Sequence, residues 1–257
     1  METTSLIEKI ALLEKGMALL REECQRLRKV GDVQEIQNVM SMHEYYHVAG
    51  MHREEMEAIW AKKTPGIAME EAFLNGRYVG LEAVEGYYVD FFALFFENAR
   101  REVRGIFPQV GSETEGAAPF GLQIMHTLTT PVIEVAEDGQ TAKGVWLSPG
   151  CITVPVGGKL QALWHWDRYA IDFAKEDGRW KIWHFWVGKE FSTPYEKSWV
   201  DSALDSTPGV QFDNIPGFPR PNSPSLATYG GYSPFKAPQF VPIPPVPYRT
   251  FSETFSY

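Results

Sequence analysis

The chain has 257 residues, 44% apolar and 22% charged, with a net charge of −9. That composition suits a globular protein with enough apolar material for a core, and the acidic balance disfavours nucleic acid and membrane as partners, because phosphate binding needs a positive field. Two cysteines, Cys24 and Cys151, are too few for a disulfide framework. The N-terminus is charged and periodic rather than leader-like, and no apolar run reaches spanning length, so a cytoplasmic protein is expected.

From Leu6 the apolar positions run Leu6, Ile10, Leu13, Met17, Leu20, Cys24 and Leu27, at alternating intervals of four and three. This is a heptad seam, read either as a coiled-coil helix joining a homo-oligomer (dimer or trimer) or as one amphipathic helix lying on its own domain. Gly31 is expected to end it, with Asp32 capping a second helix over about Val33–Ala49. Gly50 breaks that helix, and a short one follows near Glu54–Ala61. Pro65-Gly66 turns the chain into a strand, Ile67–Phe73, and Asn75-Gly76 signals the turn into a brief strand at Arg77–Val79. A long helix covers about Leu81–Phe107, with Tyr87, Phe91, Phe92 and Phe95 on one face, and the polar segment Pro108–Pro119 reads as a loop.

From Phe120 the period becomes two, giving strands at about 120–136, 141–147, 160–173 and 180–191 with Asp-Gly turns at 138–139 and 177–178. Leu147–Gly158, with two prolines and three glycines, is expected to interrupt the sheet. The fold class is α+β: a cone-shaped, curved antiparallel sheet wrapped by three helices, which leaves a cavity for a small apolar ligand. Twelve of the 18 prolines lie after Phe191, yet Phe212, Phe218, Tyr229, Tyr232, Phe235, Phe240, Tyr248, Phe251, Phe255 and Tyr257 are threaded through that tail. Two readings stand: an arm packed on a folded surface, its own or a neighbour's, or a mobile arm carrying a proline-rich ligand. Three units follow: a helix at 1–31, an α+β domain at 32–191 and an arm at 192–257.

His43-Glu44-Tyr45-Tyr46-His47 matches the H-E-x-x-H pattern of zinc peptidases, in which two histidines one helical turn apart share a metal. The third ligand of the extended pattern would fall on Arg53; Glu70 or Glu71 is the substitute. The apolar residues around the motif favour instead a helix whose polar groups face a cavity, without metal. His126 shares a strand face with Leu122 and Ile124 and is either a satisfied core histidine or a cavity acid/base. The last strand, Trp180–Phe191, places Trp180, Ile182, His184 and Trp186 on one face by strict alternation, and Trp183, Phe185, Val187 and Lys189 on the other. Its partner carries Trp164, His165, Trp166 and Asp167. These rings read as a thick core, or as a pocket in which Lys189 stabilises an oxyanion. No phosphate loop or nucleophile elbow is present, so no cofactor is expected.

The Asp32–Trp60 helical pair, the string Gly76-Arg-Tyr-Val-Gly80-Leu-Glu-Ala-Val84, Met125-His126 ahead of Thr130-Pro131, and Asp177-Gly-Arg-Trp-Lys-Ile182 together resemble the SnoaL-like branch of the nuclear-transport-factor-2-like superfamily, over about Asp32 to Phe191. The resemblance implies a cone-shaped α+β barrel, a fold that hosts dehydratases, isomerases, cyclases and non-catalytic binders. Within the branch the chain is similar to cofactor-independent lyases of the bile-acid 7α-dehydratase type, whose catalytic histidine carries onto His126 and whose basic residue carries onto Lys189. Their later-strand acid falls near Ser148–Gly150, where this chain has none. In architecture it resembles the longer lignin diarylpropane lyases that release formaldehyde. The resemblance implies a cofactor-free lyase acting on a hydroxylated aromatic or polycyclic molecule. His126, Lys189, Tyr46 and His47 are the expected catalytic groups, and His43, Tyr45, Glu71, Trp146, Trp164 and His184 the expected pocket. The alternatives are a non-catalytic binding or scaffolding domain, a ketosteroid-isomerase-like enzyme, and a zinc hydrolase using His43 and His47.

Overall fold

The computed structural model describes residues 2–72, 76–109, 118–202, 217–226 and 229–252, with the backbone alone at 2–4. Asn75 of the expected turn, most of the loop at 108–119, and Phe212, Phe255 and Tyr257 lie outside them. A 48-residue helix, α1 (Glu2–Ala49), is followed by α2 (His52–Ile59) and two short strands, β1 (Ala68–Glu71) and β2 (Gly76–Val79). Next comes a helical rod made of α3 (Leu81–Glu85), a π-helical segment (Gly86–Phe91) and α4 (Phe92–Ile106). The sheet then adds β3 (Gln123–His126), β4 (Thr129–Val135), β5 (Thr141–Val156), β6 (Lys159–Glu176) and β7 (Arg179–Pro194). A short helix, α5 (Trp199–Ser202), and a two-residue strand, β8 (Ser223–Pro224), complete the described elements.

The strand order is β3-β5-β6-β7-β1-β2-β8, with β4 also pairing β5. The sheet is curved and unclosed, and antiparallel except where β1 runs parallel to β7. The helices pack on its concave face around Trp60, Tyr78, Tyr87, Tyr88, Phe173, Trp180 and Ile182. None of the described helices is long and apolar enough to cross a membrane.

Two boundaries differ from the sequence expectation. Gly31 does not end a helix and Asp32 is not a cap, because α1 runs through both. A helical glycine costs about 1 kcal/mol, but the next turns bury Ile36, Val39 and Met40. Asp32 is held from the sheet, accepting hydrogen bonds from Lys175 Nζ at 2.7 Å and Trp180 Nε1 at 2.8 Å.

Nor do Leu147–Gly158 interrupt the sheet: β5 continues to Val156, paired with β6 along its whole length. Along its other edge β5 pairs β4 over Ala142–Leu147 and β3 over Gly150–Thr153. Pro149 sits at the changeover. Its carbonyl accepts from Thr127 N at 3.1 Å, so its missing N–H points into the β3–β4 junction, where no ladder partner is required. Gly150 lets β3 approach: a Cβ there would lie 2.3 Å from Met125 O and 3.3 Å from His126 Nδ1. Overpacking of this kind costs about 1–3 kcal/mol. Gly150→Ala is therefore expected to lower the urea unfolding midpoint, and an unchanged midpoint would show that β3 is not seated against β5 in this way.

Candidate functional site

The concave face of the sheet and the helical layer enclose a partly open cavity of about 140 Å³. Sheet register builds one wall. On one cross-strand row His126, Gly150 and His165 are adjacent; on the next, Ser148, Asp167 and Lys189. With no side chain at 150, the His126 and His165 rings meet edge to face, centroids 4.9 Å apart. His165 Nε2 lies 2.8 Å from Asp167 Oδ2, and His126 Nδ1 lies 3.5 Å from the same oxygen. Asp167 Oδ1 and the Nδ1 atoms of His126 and His165 are buried without hydrogen-bond partners among the described residues. Buried polar atoms of this kind, beside a cavity, mark where a bound molecule would bond.

A bulge in β7 decides which residue faces Asp167. The register shifts between Trp166 and Asp167, so Trp166 pairs Phe191 while Asp167 pairs Lys189, and Glu190 is skipped. Glu190 accepts from Arg168 Nε at 2.7 Å instead. Glu71, at the end of β1, pairs with Val187 and adds a second carboxyl to the Lys189 side.

The opposite wall is helical. His43 and His47 lie one turn apart on α1, their rings 5.7 Å apart. Glu55 of α2, fully buried, binds His43 Nδ1 at 2.7 Å and accepts from Tyr88 OH at 2.8 Å and Trp60 Nε1 at 3.1 Å. His52 Nε2 lies 3.0 Å from His47 Nδ1. The His47 and His126 rings approach to 5.6 Å, linking the walls. Tyr87, Tyr88, Phe91, Phe92 and Phe95 of the helical rod, with Tyr169 and Phe185 of the sheet, supply an aromatic lining, and Met69, Ile124, Ile152, Val154 and Val187 an aliphatic one.

Burial and charge divide the titratable groups. Burial holds His126 down at about 3, aided by the nearby charge of His165 and only partly opposed by Asp167. Burial likewise depresses His47 well below its ordinary value, with His52 and His126 adding to the effect, and takes His52 to about 3. For His43 burial also acts downward, but the charge and hydrogen bond of Glu55 outweigh it, and its pKa is raised. Burial would lift Asp167; His165, His126 and Lys189 prevail, and its pKa is lowered. Burial lowers Lys189 despite Asp167 and Glu71. Glu71 is raised to about 7 by burial, although a hydrogen bond with Tyr87 and the charge of Lys189 oppose it, and burial takes Glu44 to about 7 as well.

Of the residues singled out by sequence, His43, His47, Glu71, His126 and Lys189 line the cavity. The others do not. Tyr45 is exposed and Tyr46 half-buried outside the cavity, because on α1 they lie off the stripe that carries His43 and His47. Trp146 is buried against Phe173 in the core below the site. Trp164 is on the convex face, stacked on Tyr195. His184 also faces outward, bonded to Asp172 Oδ2 at 2.9 Å, because it alternates with the cavity-lining Phe185, Val187 and Lys189; just before it a second register shift in β7, between Asp172 and Phe173, skips Trp183. The strict alternation expected for Trp180–Phe191 fails at that bulge, and Ile182 joins Phe185 and Val187 on the concave side.

Among the described residues the H-E-x-x-H histidines find no third ligand at metal-binding spacing, and Glu70 is held by Ser225 and Leu226 of the tail. Among the described residues the group with metal-ligand spacing is His126, His165 and Asp167, whose ligand atoms lie within 4.8 Å of one another. Sequence reasoning left His165, Asp167, His52 and Glu55 unassigned. The alternation His165-x-Asp167 on a strand was the available signal for the first two; nothing local marked the others.

A family model described as a SnoaL-like domain matches residues 28–185. The chain belongs to the SnoaL-like family. Among solved structures it is similar to the hexachlorocyclohexane dehydrochlorinase LinA-type3 from Novosphingobium barchaimii LL02, at 14% identity over 68% of this chain and 96% of that one, TM-score 0.45. It is also similar to an NTF2-like protein with a cystatin-like fold from Novosphingobium aromaticivorans, at 16% identity over 64% and 85%, TM-score 0.39. A third is the association domain of C. elegans CaMKII, at 11% identity over 62% and 97%, TM-score 0.40. These likenesses concern the fold. No curated protein matches the sequence.

The raised Glu71 pKa sets a pH dependence. Its folded value near 7 exceeds the ordinary 4.5, so between those limits the folded chain keeps a proton that the unfolded chain has lost, and stability falls as pH rises through that window. In Glu71→Gln the fall in urea midpoint between pH 4.5 and 7 should be shallower than in the wild type. Parallel curves would remove Glu71 as its source.

Proposed function

We propose that this SnoaL-like domain is a cofactor-free lyase that eliminates water from a hydroxylated aromatic molecule. The observation that carries the reading is the neutral His126 beside an anionic Asp167, with Lys189 on the same wall, in a cavity lined mainly by aromatic and aliphatic side chains. His126 is in its basic form at neutral pH and takes a proton from the substrate. Asp167 then stabilises the imidazolium that forms, as a carboxylate beside a catalytic histidine does. Lys189 stabilises the negative charge that develops on a phenolate or enolate oxygen, an effect strengthened where water is excluded. Glu71 still holds its proton near neutrality and is the acid that protonates the departing hydroxyl.

The cavity volume matches one aromatic ring, since an apolar cavity of about 150 Å³ holds a benzene. A para-hydroxyaryl carbinol meets these requirements: as the phenol loses its proton, the benzylic C–O bond breaks, water leaves and a quinone methide forms. In a diarylpropane diol the γ-hydroxyl then loses its proton, the adjacent C–C bond breaks, and the electron pair returns to the ring, giving a stilbene, formaldehyde and water overall. The second ring of such a substrate must lie at the cavity mouth.

The spacing of His126, His165 and Asp167 favours one rival, a bound divalent cation. Against it, Asp167 Oδ2 is already engaged by His165, and Lys189 adds a positive charge directly across the strand pair. Turnover of para-hydroxybenzylic alcohols and diols, followed by product analysis, tests the proposal. His126→Gln and Asp167→Asn are each expected to lower kcat by roughly 100-fold or more, the scale of lost general acid–base catalysis, with binding of a product-like phenol retained. Full turnover in folded His126→Gln, or a stoichiometric metal whose removal abolishes turnover, would overturn it.

A further inference from the structure

The first half of α1 has no role in the cavity. Residues 5–28 are exposed apart from a half-buried Gly16, and among the described residues the helix first bonds to the sheet at Lys29, whose Nζ lies 2.7 Å from Glu134. This free length is about 36 Å at 1.5 Å per residue. Its apolar side chains are bare: Leu6, Leu13, Leu20 and Leu27 are 58–67% exposed, and Ile10 and Met17 about half. A monomeric surface does not carry such a stripe without a partner for it.

In the heptad that the four–three spacing defines, Leu6, Leu13, Leu20 and Leu27 occupy d, and Ile10, Met17 and Cys24 occupy a. The charged flanks at g are Lys9 and Glu23, and those at e are Glu14, Arg21 and Arg28. In a parallel pair of helices each g residue faces the e residue five positions on in its partner. Lys9 then meets Glu14 and Glu23 meets Arg28, so both fully charged contacts join opposite signs. Leucine at d with a β-branched residue at the first a position favours two strands over three. The helix needs no separate nucleation, because residues 33–49 are fixed by packing on the domain.

We infer that residues 5–28 form a parallel, in-register, two-stranded coiled coil with a second copy of this chain. Leu12 and Leu19, at c, lie outside the seam and widen the apolar stripe, so a three-stranded assembly is the competing outcome of the test.

Paired charge variants of the full chain decide the arrangement. Lys9→Glu with Glu23→Arg reverses the g positions, and Glu14→Lys with Arg28→Glu reverses those at e. Each double variant places like charges opposite in a homodimer, whereas mixing the two restores opposite signs throughout. Light scattering should give a wild-type dimer, and mass-tagged mixing should yield at least tenfold more mixed than same-variant pairs. Diamide takes two hydrogens from two thiols to leave a disulfide. It should cross-link wild-type dimers through Cys24, which a parallel register places against its own copy, and Cys24→Ser should abolish the product. A monomer, a trimer, statistical mixing of the variants, absence of the Cys24 cross-link, or a monomer that sediments with anionic vesicles would each overturn the inference.

Discussion

A carboxylate buried at position 167 is the constraint around which the cavity is organised. Removing an ionised carboxyl from water costs several kcal/mol unless positive partners are held close, and a plain two-strand ladder would have set Glu190 opposite it. The bulge at Glu190 brings Lys189 opposite instead and sends Glu190 out to Arg168. One extra residue thus converts a like-charge pair into an attractive one. The alternation of β6 then places His165 on the same face as Asp167, and the bare backbone of Gly150 lets His126 reach them from two strands away.

The elements that sequence periodicity exposed are those in which one pattern dominates. The helical character of the heptad segment in α1, the aromatic stripe of the helical rod and the Asp-Gly turns before β5 and β7 all recur in the structure. The failures have local causes. Gly31 and Asp32 carry stop-and-start signals, but burial of Ile36 and Met40 and the anchoring of Asp32 by Lys175 and Trp180 outweigh them. Pro149 reads as a strand breaker, yet its missing donor falls where β5 changes partner. The bulge at Trp183 brought Trp180 and Ile182 onto the face of Phe185 and Val187, and a period of two contains no signal for a skipped residue. Site residues met the same limit. His43, His47, Glu71, His126 and Lys189 were visible as polar residues on apolar faces, whereas Glu55 acquires meaning only once His43, Trp60 and Tyr88 converge on it.

The proline-rich tail has a physical explanation in the other face of the sheet. Strands of 16 to 18 residues carry apolar side chains on both sides, and the helices cover one. On the convex side Ala72, Val145, Ala170 and Trp186 are buried with Tyr229 and Val241 against them. Arg168 donates to the carbonyls of Gln239 and Val241 at 2.9 and 2.7 Å, and Phe251 packs on Trp183 at 4.7 Å. Another part of the tail reaches the helical rod, where Phe218 meets Phe91 at 4.9 Å. Proline suits such a segment, because an extended cover supplies side chains and a few carbonyls without needing its own hydrogen-bond ladder. The aromatics provide the contact area.

The two walls of the cavity are tuned in opposite directions by the same means. On the sheet, Asp167 keeps its charge while His126 is forced neutral. On the helices, the Glu55 carboxyl raises the pKa of His43 while burial lowers those of His47 and His52. Each wall therefore sets a carboxyl beside one imidazole and holds at least one histidine whose pKa burial lowers. Acid and base functions in one small space depend on such a separation of pKa values. Four of the six histidines in the chain take part, and their differences come from their neighbours: a carboxylate bonded to His43, another histidine bonded to His47. The arrangement couples fold to chemistry, since a shift of α2 that withdrew Glu55 would leave burial to lower the His43 pKa and change the proton balance of the cavity without touching the sheet.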